Sequence, residues 1–330
     1  MLLDRLTPAW QSLERRLRDQ CVVVVAHPSP LVRDLLAEQL SMRDVRIEII
    51  SPDAWFERAT CDDFAIAVTA AGAPAPGNPD QDWFVVCESS DDRGGKDALR
   101  HGATDVTLSA LGQEKALVRR LNDRVTDRTA RRVLDLVVLD LKEDLEAEGL
   151  SGQDVDELEL RLQAFRARLG KRPAVAVVDQ RKRAAARLAA ELSHRVCQQV
   201  VSSSPETLLR ACDGPVCPLV AVIPAVMPGS RELAAALAKS RAQVELLVTS
   251  PHGPERSSNL EWSDWVQTGI DDQDIAAARA ALLYRRARLR LLYQQLLMAL
   301  TDALSMRPRR TTGDSLYEGF EISEAFVSTR

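Results

Sequence analysis

Two stretches with the same grammar constrain this chain most. Cys21–Leu40 (CVVVVAHPSPLVRDLLAEQL) and Pro173–Leu192 (PAVAVVDQRKRAAARLAAEL) each open with a short, unbroken apolar run. Each then passes a polar tip and continues as an Ala/Leu-rich helical pattern. A short all-apolar run is the mark of a strand buried on both faces, as in a parallel sheet. A helix starting a few residues later makes each stretch the first half of a βα unit. The two openings lie about 150 residues apart, which implies two copies of one α/β domain.

In the first copy the pattern predicts strands at Cys21–Ala26, Val45–Ile50, Phe64–Thr69, Trp83–Cys87 and Asp105–Leu108. Helical segments alternate with them, and Gly72–Gln81, rich in Gly and Pro, is read as a loop. Gly102 stands where a helix-terminating glycine belongs. In the second copy strands are expected at Val175–Val178, Val196–Val201, Leu219–Ile223, Val244–Val248 and Trp265–Gln267. A final helix runs from about Asp272 past Leu304. The expected fold class is therefore α/β: two doubly wound, five-stranded parallel-sheet domains of flavodoxin-like topology joined by long helices.

The expected organisation is an amphipathic helix over 1–20, a first domain over 21–125 and a helical hairpin or coiled-coil linker over 126–170. A second domain over 171–290, a helical extension over 291–306 and a flexible tail over 307–330 follow. Val155, Leu158, Leu162, Phe165 and Leu169 repeat at three- and four-residue steps in the linker. That stripe serves either a second chain or the protein's own domains. Val155, Leu158, Leu162, Phe165, Leu282, Leu289, Arg286 and Arg290 are the candidate interaction residues.

Composition excludes little. Net charge is −5 with 28% charged residues, so no basic excess favours nucleic acid. No apolar run reaches a membrane-spanning length, and the first residues do not read as a secretory signal. Six scattered cysteines without CxxC spacing suggest a reducing, cytoplasmic setting and no metal site. No dinucleotide or Walker-type glycine motif occurs.

The segments VVDQRKRAAARLAAEL, AVMPGSRELAAAL (Ala225–Leu237), LLVTS (Leu246–Ser250) and SDWVQTGIDDQDI (Ser263–Ile275) resemble the CheY-like receiver domains of two-component response regulators. HPSPLVRDLL and ALRHGATDVTLSAL (Ala98–Leu111) resemble the same opening and closing segments in the first copy. The resemblance implies a phospho-accepting Asp after strand three and an acidic pair that holds Mg²⁺. It also implies a hydroxyl after strand four and a Lys after strand five. This chain departs at these positions. The second copy places Asp179 and Gln180 at the acidic pair, Pro224 at the acceptor, Thr249 at the hydroxyl and Thr268 at the Lys. The first places His27 and Pro28 at the pair, Val68 or Thr69 at the acceptor, Glu88–Ser89 near the hydroxyl and Ser109 at the Lys.

The resemblance thus predicts two pseudo-receivers that take no phosphoryl group, catalyse nothing and need no cofactor. The expected function is that of a signalling scaffold or adaptor, forming a homodimer and contacting a kinase or another response regulator. By resemblance, the contact face of helix four, strand five and helix five maps near Ala98–Val125 and Leu260–Leu289. Two other readings stand beside it: a small-ligand sensor using the vacated pocket, and a nucleic-acid-binding regulator using arginines from Arg279 onward. Asp179 is read first as a cap for the following helix rather than as a lone cation ligand.

Overall fold

The computed structural model describes residues 12–87, 93–108, 114–140, 152–196, 199–212, 217–239, 244–250, 263–267 and 273–305. The first apolar run becomes β1 (Val23–Ala26), with all four residues buried. It is preceded by α1 (12–19). It is followed by α2 (Pro30–Ser41), β2 (Ile47–Ile49), α3 (Trp55–Arg58), β3 (Ile66–Ala70), β4 (Asp82–Cys87), α4 (Arg93–Arg100), β5 (Asp105–Leu108) and α5 (Glu114–Asp140). The second half runs α6 (Gly152–Gly170), β6 (Val175–Val177), α7 (Lys182–Val196), β7 (Val200–Ser202), α8 (Pro205–Cys212), β8 (Val220–Pro224), α9 (Ser230–Lys239), β9 (Glu245–Ser250), β10 (Asp264–Gln267) and α10 (Gln273–Ser305).

Each half holds a five-stranded sheet, ordered β2-β1-β3-β4-β5 in the first and β7-β6-β8-β9-β10 in the second. Every pairing is parallel. Numbered within its own half, each order reads 2-1-3-4-5, the flavodoxin-like doubly wound arrangement. Both faces of these sheets are covered, and that is why the strands read as apolar runs rather than as alternations.

On one face of the first sheet, Leu36 and Leu40 of α2 and Leu121 and Val125 of α5 pack over Val23, Val25, Ile66 and Phe84. Trp55, Phe64, Trp83 and Leu99 cover the other face. The Trp55 and Phe64 rings meet edge to face at 5.7 Å and 61°. That second cluster does not stop at the domain edge. It continues through Ala98 and Val106 into α10 and α7 of the second half, including Ala276, Ala280, Leu188 and Leu192. The Ala-rich start of α10 (IAAARAAL, 275–282) makes this possible, because small side chains let a helix be approached from several sides. Burial around most of its girth is the expected place for a helical stretch whose one polar residue is Arg279.

The linker also turns inward. Leu158, Leu162 and Leu169 of α6 share one apolar cluster with Leu13 and Leu17 of α1, Val133 and Leu134 of α5, and Leu292, Tyr293 and Leu296 of α10. Tyr293 donates its hydroxyl hydrogen to the Glu14 carboxylate in this bundle.

Details depart from the sequence reading at element ends. β2 is three residues long rather than the expected six. β7 starts at Val200 rather than Val196, because α7 continues to Val196. β9 reaches Ser250. The alternation of strands and helices fails once in the first half: 71–81, between β3 and β4, is turn and coil, as its Gly and Pro content demands. Segment 141–151 and the tail 306–330 lie outside the described residues. Among the described residues no helix is long and apolar enough to cross a membrane.

Candidate functional site

In a doubly wound sheet, ligands and chemistry gather outside the carboxyl ends of the strands. Those of the residues singled out from sequence that lie among the described residues sit at or near these ends. His27 follows β1 and is buried, with Nδ1 accepting the Ser29 backbone N–H at 3.1 Å. Pro28 beside it is exposed. Val68 lies within β3 with no solvent exposure. Thr69 stands across from Ala26 in the sheet. Its hydroxyl accepts the Trp83 indole N–H at 2.8 Å and donates to the Ala70 carbonyl at 3.2 Å. This hydroxyl is buried and committed on both sides, so it is no exposed nucleophile. Ser109, Glu88 and Ser89 lie outside the described residues.

In the second half Asp179 follows β6. Its Oδ1 accepts the Arg181 backbone N–H at 2.9 Å and Arg181 Nε at 3.2 Å, while Oδ2 accepts Nη2 at 2.9 Å. The bond to a backbone N–H two residues on is an Asx-turn, which steers the chain into α7. A guanidinium thus occupies the carboxylate that a cation would need. The same bonds, with the Asp179 charge behind them, hold Arg181 above its ordinary pKa. Gln180 is exposed.

Pro224 closes β8 opposite Thr249. The Ala225 N–H donates to the Thr249 carbonyl at 2.8 Å. A tight turn follows, with Met227 N–H donating to the Pro224 carbonyl at 3.1 Å and Gly229 at φ +75°. Only a glycine takes that φ without strain. Ser230 then donates its hydroxyl to the Ala225 carbonyl at 3.0 Å. Thr249 is half-buried, and Thr268 lies outside the described residues. Neither half brings a nucleophile, a paired carboxylate and a cation together among the described residues. No group of three or more His, Cys, Asp or Glu there is placed to hold a metal ion.

Six of the candidate interaction residues make contacts within the chain. Leu158, Leu162, Phe165 and Leu289 belong to the helical cluster. Leu282 is half-buried on α10, and the backbone of Val155 lies in α6. Arg286 Nη1 meets Asp123 Oδ2 at 2.8 Å, and Arg290 Nη1 meets Glu245 Oε1 at 2.6 Å.

Sequence reasoning missed a network of buried ion pairs among the described residues, at and beside the place where the two halves meet. Asp105, the first residue of β5, is wholly buried and takes Arg120 Nε at 2.8 Å and Arg279 Nε at 3.2 Å. Arg279 also donates to the Trp265 and Val106 carbonyls at 2.7 and 3.1 Å. Asp264, the first residue of β10, takes Arg119 at 2.9 Å and lies 3.9 Å from Arg120. Asp82, opening β4, binds Arg124 and Arg128 at 2.7 and 2.6 Å. Burial alone would raise the Asp82 pKa, but the two guanidiniums outweigh it and hold the carboxyl below its usual range. Asp127 goes the other way. Burial lifts it to about 7 against the pull of Arg124 and Arg286. The signal in the sequence was the acidic residue that opens a mainly apolar strand: DWFVVC, DVTL, ELLVTS and DWVQ.

No protein-family model matches the chain, and no curated protein sequence matches it. Solved structures similar to it include two named as two-component system response regulator/GGDEF domain proteins. Each is 13% identical with a TM-score of 0.32, over 79% of this chain and 97% of the one and over 87% and 98% for the other. The C-terminal domain of glucosamine-fructose-6-phosphate aminotransferase from Francisella tularensis is also similar, at 11% identity and a TM-score of 0.25, over 85% of this chain and 87% of that one.

Proposed function

We propose that the chain is a response-regulator-like signalling adaptor that takes no phosphoryl group and works through protein contacts. The observation that carries this reading is the pair of residues at the ends of the third strands. Thr69 has its hydroxyl buried and bonded on both sides, and Pro224 has no nucleophile. The Asp179–Arg181 pair supports it, because a guanidinium stands where Mg²⁺ would have to bind. Leu31 of α2, Phe56 of α3 and Val226 after β8 are exposed apolar side chains suited to a protein partner such as a kinase or another response regulator. No cofactor enters this reading.

The test is incubation with acetyl phosphate and Mg²⁺ followed by intact-mass analysis. The expected result is an unchanged mass beside a phosphorylated control receiver. A labile phosphoryl adduct on this chain overturns the proposal and makes the protein a live switch.

A further inference from the structure

The two halves share one strand order and repeat residue types at equal offsets, although α9 has no counterpart after β3. Leu17 and Leu169 stand the same distance before β1 and β6, as do Leu13 and Phe165. Asp82 and Glu245 open the fourth strands, and Asp105 and Asp264 open the fifth. The sheet register agrees: Asp105 lies beside Phe84, two residues into its neighbour, and Asp264 beside Leu247, two residues into its own. Arg120 and Arg279 each follow that strand-opening Asp by fifteen residues. Ala130, Val133 and Leu134 of α5 correspond at the same offset to Leu289, Leu292 and Tyr293 of α10.

Equivalent residues also meet equivalent residues across the junction. Arg279 of the second half reaches Asp105 of the first at 3.2 Å, and Arg120 of the first comes within 3.9 Å of Asp264 of the second. The α5 set and its α10 counterparts lie in one apolar cluster, together with Leu17 and Leu169. Reciprocal contacts, in which i meets j while the equivalent of j meets the equivalent of i, are the mark of an isologous two-fold interface. Such interfaces ordinarily join two separate chains.

We infer that this chain is a covalently fused two-fold dimer: two copies of one helix–α/β–helix protomer, whose dimer interface is closed inside a single polypeptide. This does not rest on the adaptor reading, since it holds whatever the strand ends do. It fixes the partner of the α4–β5–α5 face of the first half, which is the corresponding β10–α10 face of the second. A second chain therefore does not dock there.

The test uses the full chain with a sequence-specific protease site inserted within 141–151, before and after cleavage, in size-exclusion chromatography with light scattering over a hundredfold dilution. The expected result is the mass of one chain throughout, with the two fragments travelling together after cleavage. Arg286→Asp, which breaks a cross-junction pair at the rim rather than in the buried network, is expected to let the cleaved fragments separate at a concentration at least tenfold higher. Adding Asp123→Arg is expected to recover most of that shift. Circular dichroism confirms that each variant is folded before cleavage. The inference is overturned if fragments of the unsubstituted chain separate at once, or if the swapped pair recovers nothing. It is equally overturned if the intact chain has the mass of two chains and Arg286→Asp reduces it to one, for then the junction pairs halves of different molecules.

Discussion

Thr69 places a hydroxyl near a strand end in a structural role. Its hydroxyl is the acceptor for a buried indole N–H, so its worth is the cost of leaving Trp83 unpaired. Thr69→Val keeps the shape and removes that acceptor, at an expected loss of ~1–3 kcal/mol in urea unfolding. An unchanged stability would mean that the indole N–H finds another partner. Which residue stands at a strand end could be read from the sequence, because the apolar run before it fixes the count. The direction of each side chain could not. Asp179 was read as a cap for α7. It does steer the chain into that helix, but it is equally the partner of Arg181, and an exposed arginine two residues away gives no hint in sequence of folding back.

At the scale of the element, the strands were legible because parallel strands covered on both faces must be apolar throughout. Their ends were not, since pairing stops where the neighbouring strand stops. Val45 is buried yet lies outside the three-residue β2. Helix ends were clearer where backbone conformation demands one residue type. Gly102 closes α4 at φ +98°, with its N–H on the Leu99 carbonyl and the Ala103 N–H on that of Ala98. A Cβ there would meet nothing within 4 Å, so the glycine is needed for its φ alone. Gly102→Ala is expected to cost ~1–2 kcal/mol, read as a lowered denaturation midpoint with unchanged circular dichroism. A neutral substitution would show that the turn relaxes to negative φ.

For the whole molecule, the junction was the illegible part. Periodicity marks a helical face as apolar or charged but does not name its partner, so the arginines of α10 read as a basic run, whereas Arg279, Arg286 and Arg290 pair with Asp105, Asp123 and Glu245. The junction has a pH signature. Asp127, half-buried on α5, binds its proton more tightly folded than unfolded, with a folded pKa of about 7 against an ordinary 3.8. The folded state therefore carries the extra proton between those values. Its contribution to stability is greatest below about pH 4 and is lost as pH rises through about 7. Asp82, held below its usual range, contributes in the opposite sense, losing its share as pH falls. Asp127→Asn isolates the first effect. The variant is expected to match the parent near pH 4 and to exceed its stability by ~1 kcal/mol near pH 8, the full shift being discounted for partial exposure. Equal urea midpoints at both pH values would show that Asp127 keeps its ordinary acidity.

The helical bundle has a consequence for how the protein is made. Leu13 and Leu17 lie against Leu292, Tyr293 and Leu296, whereas each α/β half draws on a much shorter span of chain. A ribosome adding about 5–20 residues per second needs roughly a quarter of a minute to a minute to pass from one end of that contact to the other. The first half completes its sheet in that interval while its leading helix still lacks part of its cover. The nascent chain therefore carries an incompletely covered apolar stripe on α1 until α10 emerges, and this is the window in which a chaperone, or the same helix of a neighbouring nascent chain, competes for that stripe.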